Sequence, residues 1–396
     1  MKLRHTFCII LLVNLCFATS CNSGVKDIPV VDVDNPAGTI DLTLSDLLDD
    51  ITIVPLETRD DLLLTTAGTS FIVTNRYILV KKRDEELLQF DHQGKYIRTL
   101  ATHGNGPNEF DAIGNSLTDE EQEIFYYSDY GHYKYISCID LKTGVFRESL
   151  YPDIPRFSIK AIDGKGNIYG FPARMDSTLL AFRYNPVDKS VTAYKKRHPS
   201  TDGNMDQEMF RQGDHIFFVS FSYSDTLFKI DGTKTIPQYR IKVKDLNTGN
   251  PEEGNVKLRL INSYTQGTVI EKSRQQILMD ESGRHFDNYV LAYLFVNKNC
   301  ELQTIRSVTV DPLAFTIDMD DYLKQENERR RIIPIGPPDI TGLWGHIAVE
   351  ASDMIALIDK ALKGHQLFAD QRKALVELSA KIDEDSNPVL IIGRVK

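Results

Sequence analysis

LLQFDHQGKYIRTLATHGNGPNEF, Leu87 to Phe110, contains in miniature the repeat from which the chain is built. Leu87 to Phe90 and Tyr96 to Leu100 are two apolar runs flanking Asp91-His-Gln-Gly94. A glycine there supplies the positive φ that a tight hairpin turn requires. The segment then ends in a glycine- and proline-rich corner. Similar hairpins recur with an Asp or Asn after the outer hydrophobe at 91, 140, 185, 231 and 297, in steps of 49, 45, 46 and 66. A step of about 40–50 residues is that of one four-stranded propeller blade. The last step implies an insertion, read as a polar loop from Asn247 to Leu260 with Gly249, Pro251 and Gly254. A sandwich of long hairpins would give similar strands but not the constant step. The reading is therefore all-β, a six-bladed β-propeller over residues 41–396, with five marked units and a sixth assembled from both chain ends.

The ends carry the closure. Ser352 to Lys363 and Gln366 to Ile382 place apolar residues at helical spacing, which predicts two short helices near the C-terminus. Asn387-Pro388 stops the second, and Val389 to Ile392 reads as a short buried strand. A propeller must hide its sheet edges, so its beginning has to meet its end. Val389 to Ile392 and Ile51 to Leu56 are the segments suited to that role.

Before the propeller come a leader and a linker. Lys2 and Arg4 precede an apolar run from Phe7 to Phe17, too short to span a bilayer and of the length of a signal-peptide core. Ala18-Thr19-Ser20 before Cys21 resembles the lipobox of bacterial lipoproteins, although Ala18 stands where leucine is usual. That resemblance implies cleavage after residue 20, acylation of Cys21 and, from Asn22 in the next position, the outer membrane. An ordinary secretory leader with Cys21 incidental is the alternative. Residues 21–40 are polar, with Pro29, Pro36 and Gly38, and read as a tether. With the leader and Cys21 set aside, Cys138 and Cys300 remain; both sit in strand-like patterns and read as buried thiols, with a disulfide as the alternative.

The 396 residues carry a net charge of −10 with no compensating basic run, which argues against nucleic acid as a partner. No CxxC, HExxH or GxSxG occurs, so zinc, redox and hydrolase-elbow chemistry lack their motifs. Gly104-Asn-Gly-Pro-Asn-Glu109 lacks the Lys-Ser/Thr pair of a phosphate loop. Gly104, Gly106, Pro107 and Glu109 are read instead as a structural corner, with Glu109 bonding backbone amides. Asp383 to Asn387 begins like a calcium loop, but Pro388 replaces the glycine and Arg394 the bidentate glutamate. No metal and no cofactor is expected.

Ala101-Thr-His-Gly-Asn-Gly-Pro-Asn-Glu-Phe110 is similar to the G-x-G-P-x-E-[FY] corner of six-bladed β-propeller lipoproteins of gut-type Gram-negative bacteria. Ile53 to Thr58, Phe90 to Ile97, Ser224 to Ile230 and Asp385 to Leu390 resemble further fixed stretches of that family, in the same order. The resemblance implies a propeller related to the NHL and TolB types, which mostly bind rather than catalyse; fold alone does not assign an activity.

A propeller binds where loops from several blades converge around its channel. The residues placed at that mouth are Arg76, Asp129, Tyr130, His132, Arg174, Ser222, Tyr223 and Trp344, each at or beside an inner strand end. The favoured function is a membrane-anchored, non-catalytic binding or scaffold protein for a glycan, peptide or partner protein. A propeller enzyme, a polysaccharide lyase or lactone-type hydrolase, is the alternative.

Overall fold

The computed structural model describes residues 28–82, 86–106, 109–129, 134–172, 178–195, 207–221, 224–244, 246, 256–264, 266–280, 283–313, 315–319, 343–364 and 367–396. The chain enters through β1 (Val30–Asp32), β2 (Thr39–Thr43), the single-turn helix α1 (Leu44–Leu47) and β3 (Leu48–Pro55). Blade one is β4 (Thr69–Val73), β5 (Tyr77–Lys82), β6 (Glu86–Asp91) and β7 (Tyr96–His103), extended by β8 (Glu109–Phe110). Blade two is β9 (Ile113–Asp119), β10 (Ile124–Asp129), β11 (Ile136–Asp140) and β12 (Phe146–Leu150). Blade three is β13 (Phe157–Ile162), β14 (Ile168–Pro172), β15 (Leu179–Tyr184) and β16 (Val191–Lys195). Blade four is β17 (Gln207–Gln212), β18 (His215–Ser220), β19 (Ser224–Asp231) and β20 (Lys234–Lys242). Blade five is β21 (Val256–Tyr264), β22 (Gly267–Asp280), β23 (Gly283–Asn297) and β24 (Leu302–Val310), with β25 (Phe315–Asp318) folded back on β24. Blade six contains β26 (Trp344–Val349), helices α2 (Ala351–Lys363) and α3 (Ala369–Ser379), and β27 (Val389–Val395). The six sheets make a six-bladed propeller.

The repeating turn has a local cause. In blade one Asp91 Oδ1 accepts the amides of Gln93 and Lys95, both at 2.9 Å, and Gly94 takes φ +80°. A side chain at Gly94 would also strike the carbonyl of Pro55, so glycine admits the closing strand as well as the turn. Strands near the channel are buried on both faces: Ile78, Leu79 and Val80 are fully covered, each side facing a neighbouring blade. Continuous apolar runs therefore mark the inner strands better than alternation does.

Closure follows the expected pairing. Val389, Leu390, Ile391 and Ile392 of β27 lie antiparallel to Pro55, Val54, Ile53 and Thr52 of β3. Trp344 at the start of β26 meets the β4–β5 turn, whereas Glu350 beyond its end accepts hydrogen bonds from Thr66 ahead of β4. Strand β26 thus runs opposite to β4 and takes the place of a second strand, β27 of a third, and β3 of a fourth. All four residues from Val389 to Ile392 are buried. At about 1.5–3 kcal/mol each, their burial alone rivals the whole stability of an ordinary domain. Asn387 pins the same seam: it accepts from the Leu64 amide, donates its side-chain amide to the Glu57 and Leu62 carbonyls, and donates its backbone N–H to Thr58 Oγ1.

The N-terminal stretch departs from a simple tether. Strand β1 pairs in parallel with β20 and β2 with β24, so residues from Val30 onward lace the outer edges of blades four and five before completing blade six. Val31 and Val33 are buried, while Asp32–Lys242 (2.8 Å) and Asp34–Lys272 (2.7 Å) pin the margin. A three-residue strand between prolines is too short to show a period, which is why it reads as linker. In blade five, the residues from Val256 belong to β21 rather than to a polar loop; 247–255 lie outside the described residues. The long step comes partly from β22 and β23, 14 and 15 residues long. Cys138 is buried in β11 and Cys300 sits half-buried in a turn; both are free thiols.

Candidate functional site

Turns joining first to second and third to fourth strands gather at one face, here termed the turn face. Links between second and third strands, and between blades, gather at the opposite one. Around the channel on the turn face the first turns touch in sequence. Asn75 accepts the Trp344 indole N–H at 3.2 Å and donates its own amide to Glu120 Oε2 at 2.7 Å. Gly166 of blade three approaches Asp119 so closely that a Cβ there would stand 2.7 Å from Oδ2. A Cβ at Gly164 would stand 3.1 Å from the Arg211 guanidinium of blade four, and Gln212 donates to the carbonyl of Tyr264 in blade five.

The chemistry of this rim is concentrated in Asp119-Glu-Glu-Gln-Glu123, the turn of blade two. Asp119 Oδ1 accepts the amides of Glu121 (3.0 Å) and Gln122 (2.9 Å), leaving buried Oδ2 without a partner. Glu120 uses Oε2 on Asn75, and its buried Oε1 likewise has none. Burial pushes the Glu120 carboxyl up to about 7; Asp119 and Glu123 add to the rise, while the Asn75 amide and the Arg211 guanidinium restrain it. At neutral pH this group can therefore donate as an acid or accept as a carboxylate. Two cations flank it. Arg76 pairs with Glu123 at 2.7 Å, and Arg211 donates to the Gly213 carbonyl at 2.7 Å.

The described residues among those expected at one mouth, Arg76, Asp129 and Trp344, divide between two faces. Arg76 belongs to the rim, its side chain 67% exposed. Trp344 stands on the same face but is only 7% exposed: its N–H is committed to Asn75, the Arg394 guanidinium lies 5.6 Å over its ring, and His92 meets it edge-on at 5.0 Å. Its ring and N–H are thus engaged as a pin between blades six and one. Asp129 ends β10 at the opposite face, away from Arg76. His132, Arg174 and Tyr223, with Tyr130, Ser222, Cys21 and Pro107, lie outside the described residues. The described ends that flank the first three, Asp129, Pro172 and Ser224, belong to that opposite face. Reading a residue as near an inner strand end does not say which end, and successive strands run in opposite directions.

Asp119, Glu120, Glu123 and Arg211 were not among the expected site residues. Their signal was positional: each lies in or beside the first turn of its blade, as Arg76 does in blade one. At the opposite face, Glu109 accepts the Gly106 amide at 2.6 Å, and Gly104 donates its amide to the Phe110 carbonyl at 2.9 Å. Among the described residues no three His, Cys, Asp or Glu side chains are grouped to hold a metal ion, and no described helix is long and apolar enough to cross a membrane.

A family model described as "Domain of unknown function (DUF4934)" matches residues 26–394. No curated protein matches the chain. Among solved structures, a Bacteroides fragilis protein inferred to be exported superimposes with a TM-score of 0.58 at 12% identity, covering 93% of this chain and 99% of its own. A member of the duf4221 family from Bacteroides vulgatus gives 0.46 at 10% identity, covering 88% and 96%. A streptogramin B lyase gives 0.37 at 10% identity, covering 64% and 87%. At such identities the first of these speaks to the fold alone.

Proposed function

Because the chain belongs to the DUF4934 family, whose model spans residues 26–394, we propose an activity from the rim rather than from a relative. We infer that the protein is an exported, lipid-anchored propeller that binds without catalysing, taking a glycan, peptide or partner protein at the turn face. The observation that carries this is the pair of unspent acceptors, Asp119 Oδ2 and Glu120 Oε1, beneath a rim that also holds Arg76 and Arg211. Buried polar atoms in native proteins are nearly always paired, so an unpaired pair at a channel mouth favours a ligand bearing hydroxyl or amide donors. Anchoring rests on the leader and on Cys21, with the outer membrane as its place; kinship with NHL and TolB propellers fits the same binding role.

Glycan and peptide arrays probed with wild type and with Glu120→Ala/Arg211→Ala test the reading. Ligands held by wild type and lost by the double variant support it; retention by both overturns it. Incorporation of labelled palmitate into wild type but not Cys21→Ala tests the anchor. One observation favours the enzymatic alternative: a carboxyl near 7 beside a guanidinium suits general acid–base work. Mass spectrometry of array hits after incubation would then reveal eliminated or hydrolysed products.

A further inference from the structure

Between blades four and five, outside the rim, lies a cavity of about 230 Å³ that opens on the turn face. One wall is aromatic. Phe210 and Phe217 sit opposite each other in the β17–β18 ladder, with rings stacked 5.6 Å apart at 12°, and both line the space. Leu227 and Val296 supply further apolar surface, and Lys298 and Cys300 in the β23–β24 turn stand at its edge. The Tyr239 side chain also lines the cavity. Tyr239 is 8% exposed, and its buried hydroxyl has Thr268 beside it but no hydrogen bond of good geometry to hold it.

We propose that this cleft is a second binding site, for a small molecule made of one aromatic ring bearing a carboxylate. Size sets the first limit: a dry cavity of about 150 Å³ accepts benzene, so this one accommodates a single substituted ring and not a fused polycycle. The stacked phenylalanines offer the ring a face and an edge. Lys298, exposed at the edge, supplies an ammonium for the carboxylate, and the Tyr239 phenol, a buried donor in the lining, supplies one for an acceptor on the ring. Burial raises the phenol above its ordinary range, so it remains a donor at every physiological pH. Cys300 adopts φ +61° at a turn position that Gly94 and Gly166 fill elsewhere. Its thiol is also raised by burial, which leaves it a neutral lining group rather than a nucleophile. The proposal is independent of the rim: no acid of the blade-two turn contributes to it.

Calorimetric titration with 4-hydroxyphenylacetate, phenylacetate and cyclohexylacetate tests the site. Wild type should bind 4-hydroxyphenylacetate most tightly and cyclohexylacetate least. Tyr239→Phe should weaken 4-hydroxyphenylacetate about tenfold, the size of one lost hydrogen bond, and leave phenylacetate nearly unchanged. Lys298→Ala should weaken both aromatic acids by a similar factor and spare neutral 4-methylphenol. Tyr239→Phe removes one hydroxyl beside Thr268 and leaves the ring in place, so it should fold, and a thermal midpoint close to that of wild type checks that. Absence of binding to wild type at about 10 mM, far above what a well-fitted ligand of this size needs, overturns the proposal. Equal affinities across wild type and both variants overturn it too.

Discussion

Two first turns in neighbouring blades start from the same residue and end differently. In blade three Asp163 spends its whole carboxylate: Oδ1 accepts the Lys165 and Asn167 amides at 2.9 Å, and Oδ2 accepts the Asn167 side chain and the Tyr169 hydroxyl at 2.9 Å. In blade two Asp119 satisfies one oxygen and leaves the other bare, with Glu120 beside it doing the same. Both turns close a hairpin at the same face. The first is fully accounted for by folding, while the second keeps hydrogen-bonding capacity that folding does not use. That difference separates a structural turn from a candidate site more sharply than residue type does.

The largest effect expected from the contrast is a pH dependence centred on blade two. The Glu120 carboxyl stands near 7 in the folded protein against 4.5 for the free side chain. The stability it gives is complete below about pH 4.5 and is lost as pH rises through 7, roughly 3 kcal/mol in all. Glu120→Gln cannot lose a proton, so its stability relative to wild type should grow by about that amount between pH 4.5 and 8. Urea denaturation across that range measures it; a constant difference would remove Glu120 from the argument. His346 works in the opposite sense. Full burial lowers it from 6.5 to about 4, so its contribution is present above 6.5 and lost as pH falls towards 4. In wild type the two slopes oppose each other between 4.5 and 6.5, and Glu120→Gln should expose the rising limb due to His346.

Next in size is the pair of alanine substitutions at the two aspartates. Asp163→Ala strands the hydroxyl of Tyr169, itself buried, together with two turn amides. A loss of about 2–3 kcal/mol is expected. Asp119→Ala frees two amides near solvent but also removes an unpaired buried oxygen, so about 1 kcal/mol or less should be lost. Chemical denaturation should therefore rank Asp163→Ala well below Asp119→Ala, and any ligand captured on arrays should show the reverse order. Equal losses would mean that the bare oxygen of Asp119 is no mark of function.

Much of the ring was readable because its causes are local. Asp91 with Gly94 shows a turn by chemistry alone, and Val389 to Ile392 shows a buried strand by composition. Helices α2 and α3 carried a period long enough to detect. Strands β1 and β2 did not: Val31 and Val33 are buried only because the edges of blades four and five are beside them, a fact of topology absent from a three-residue window. The site was harder for the same reason. Asp119 and Asp163 look alike in sequence, and only the surroundings decide which carboxylate is fully used. Trp344, the sole tryptophan, looks like a binding residue until its indole N–H is found engaged by Asn75.

Arg76→Ala should have the smallest effect on stability and is the most discriminating substitution for that reason. Its guanidinium meets Glu123 at 2.7 Å, but with 67% of the side chain in solvent the pair is screened, and exposed pairs of this kind contribute about 0–1 kcal/mol. Loss of the arginine should lower the midpoint of urea unfolding barely above measurement error, and added salt should erase even that. It leaves the Asn75–Glu120 bond, the Trp344 pin and the Asp119 turn in place, because none of them uses its side chain. A weakened ligand on an otherwise unchanged protein would then have to be charged to recognition at the rim. Undiminished binding, alongside lost binding in Glu120→Ala, would move the ligand inward, towards Arg211 and away from the exposed edge.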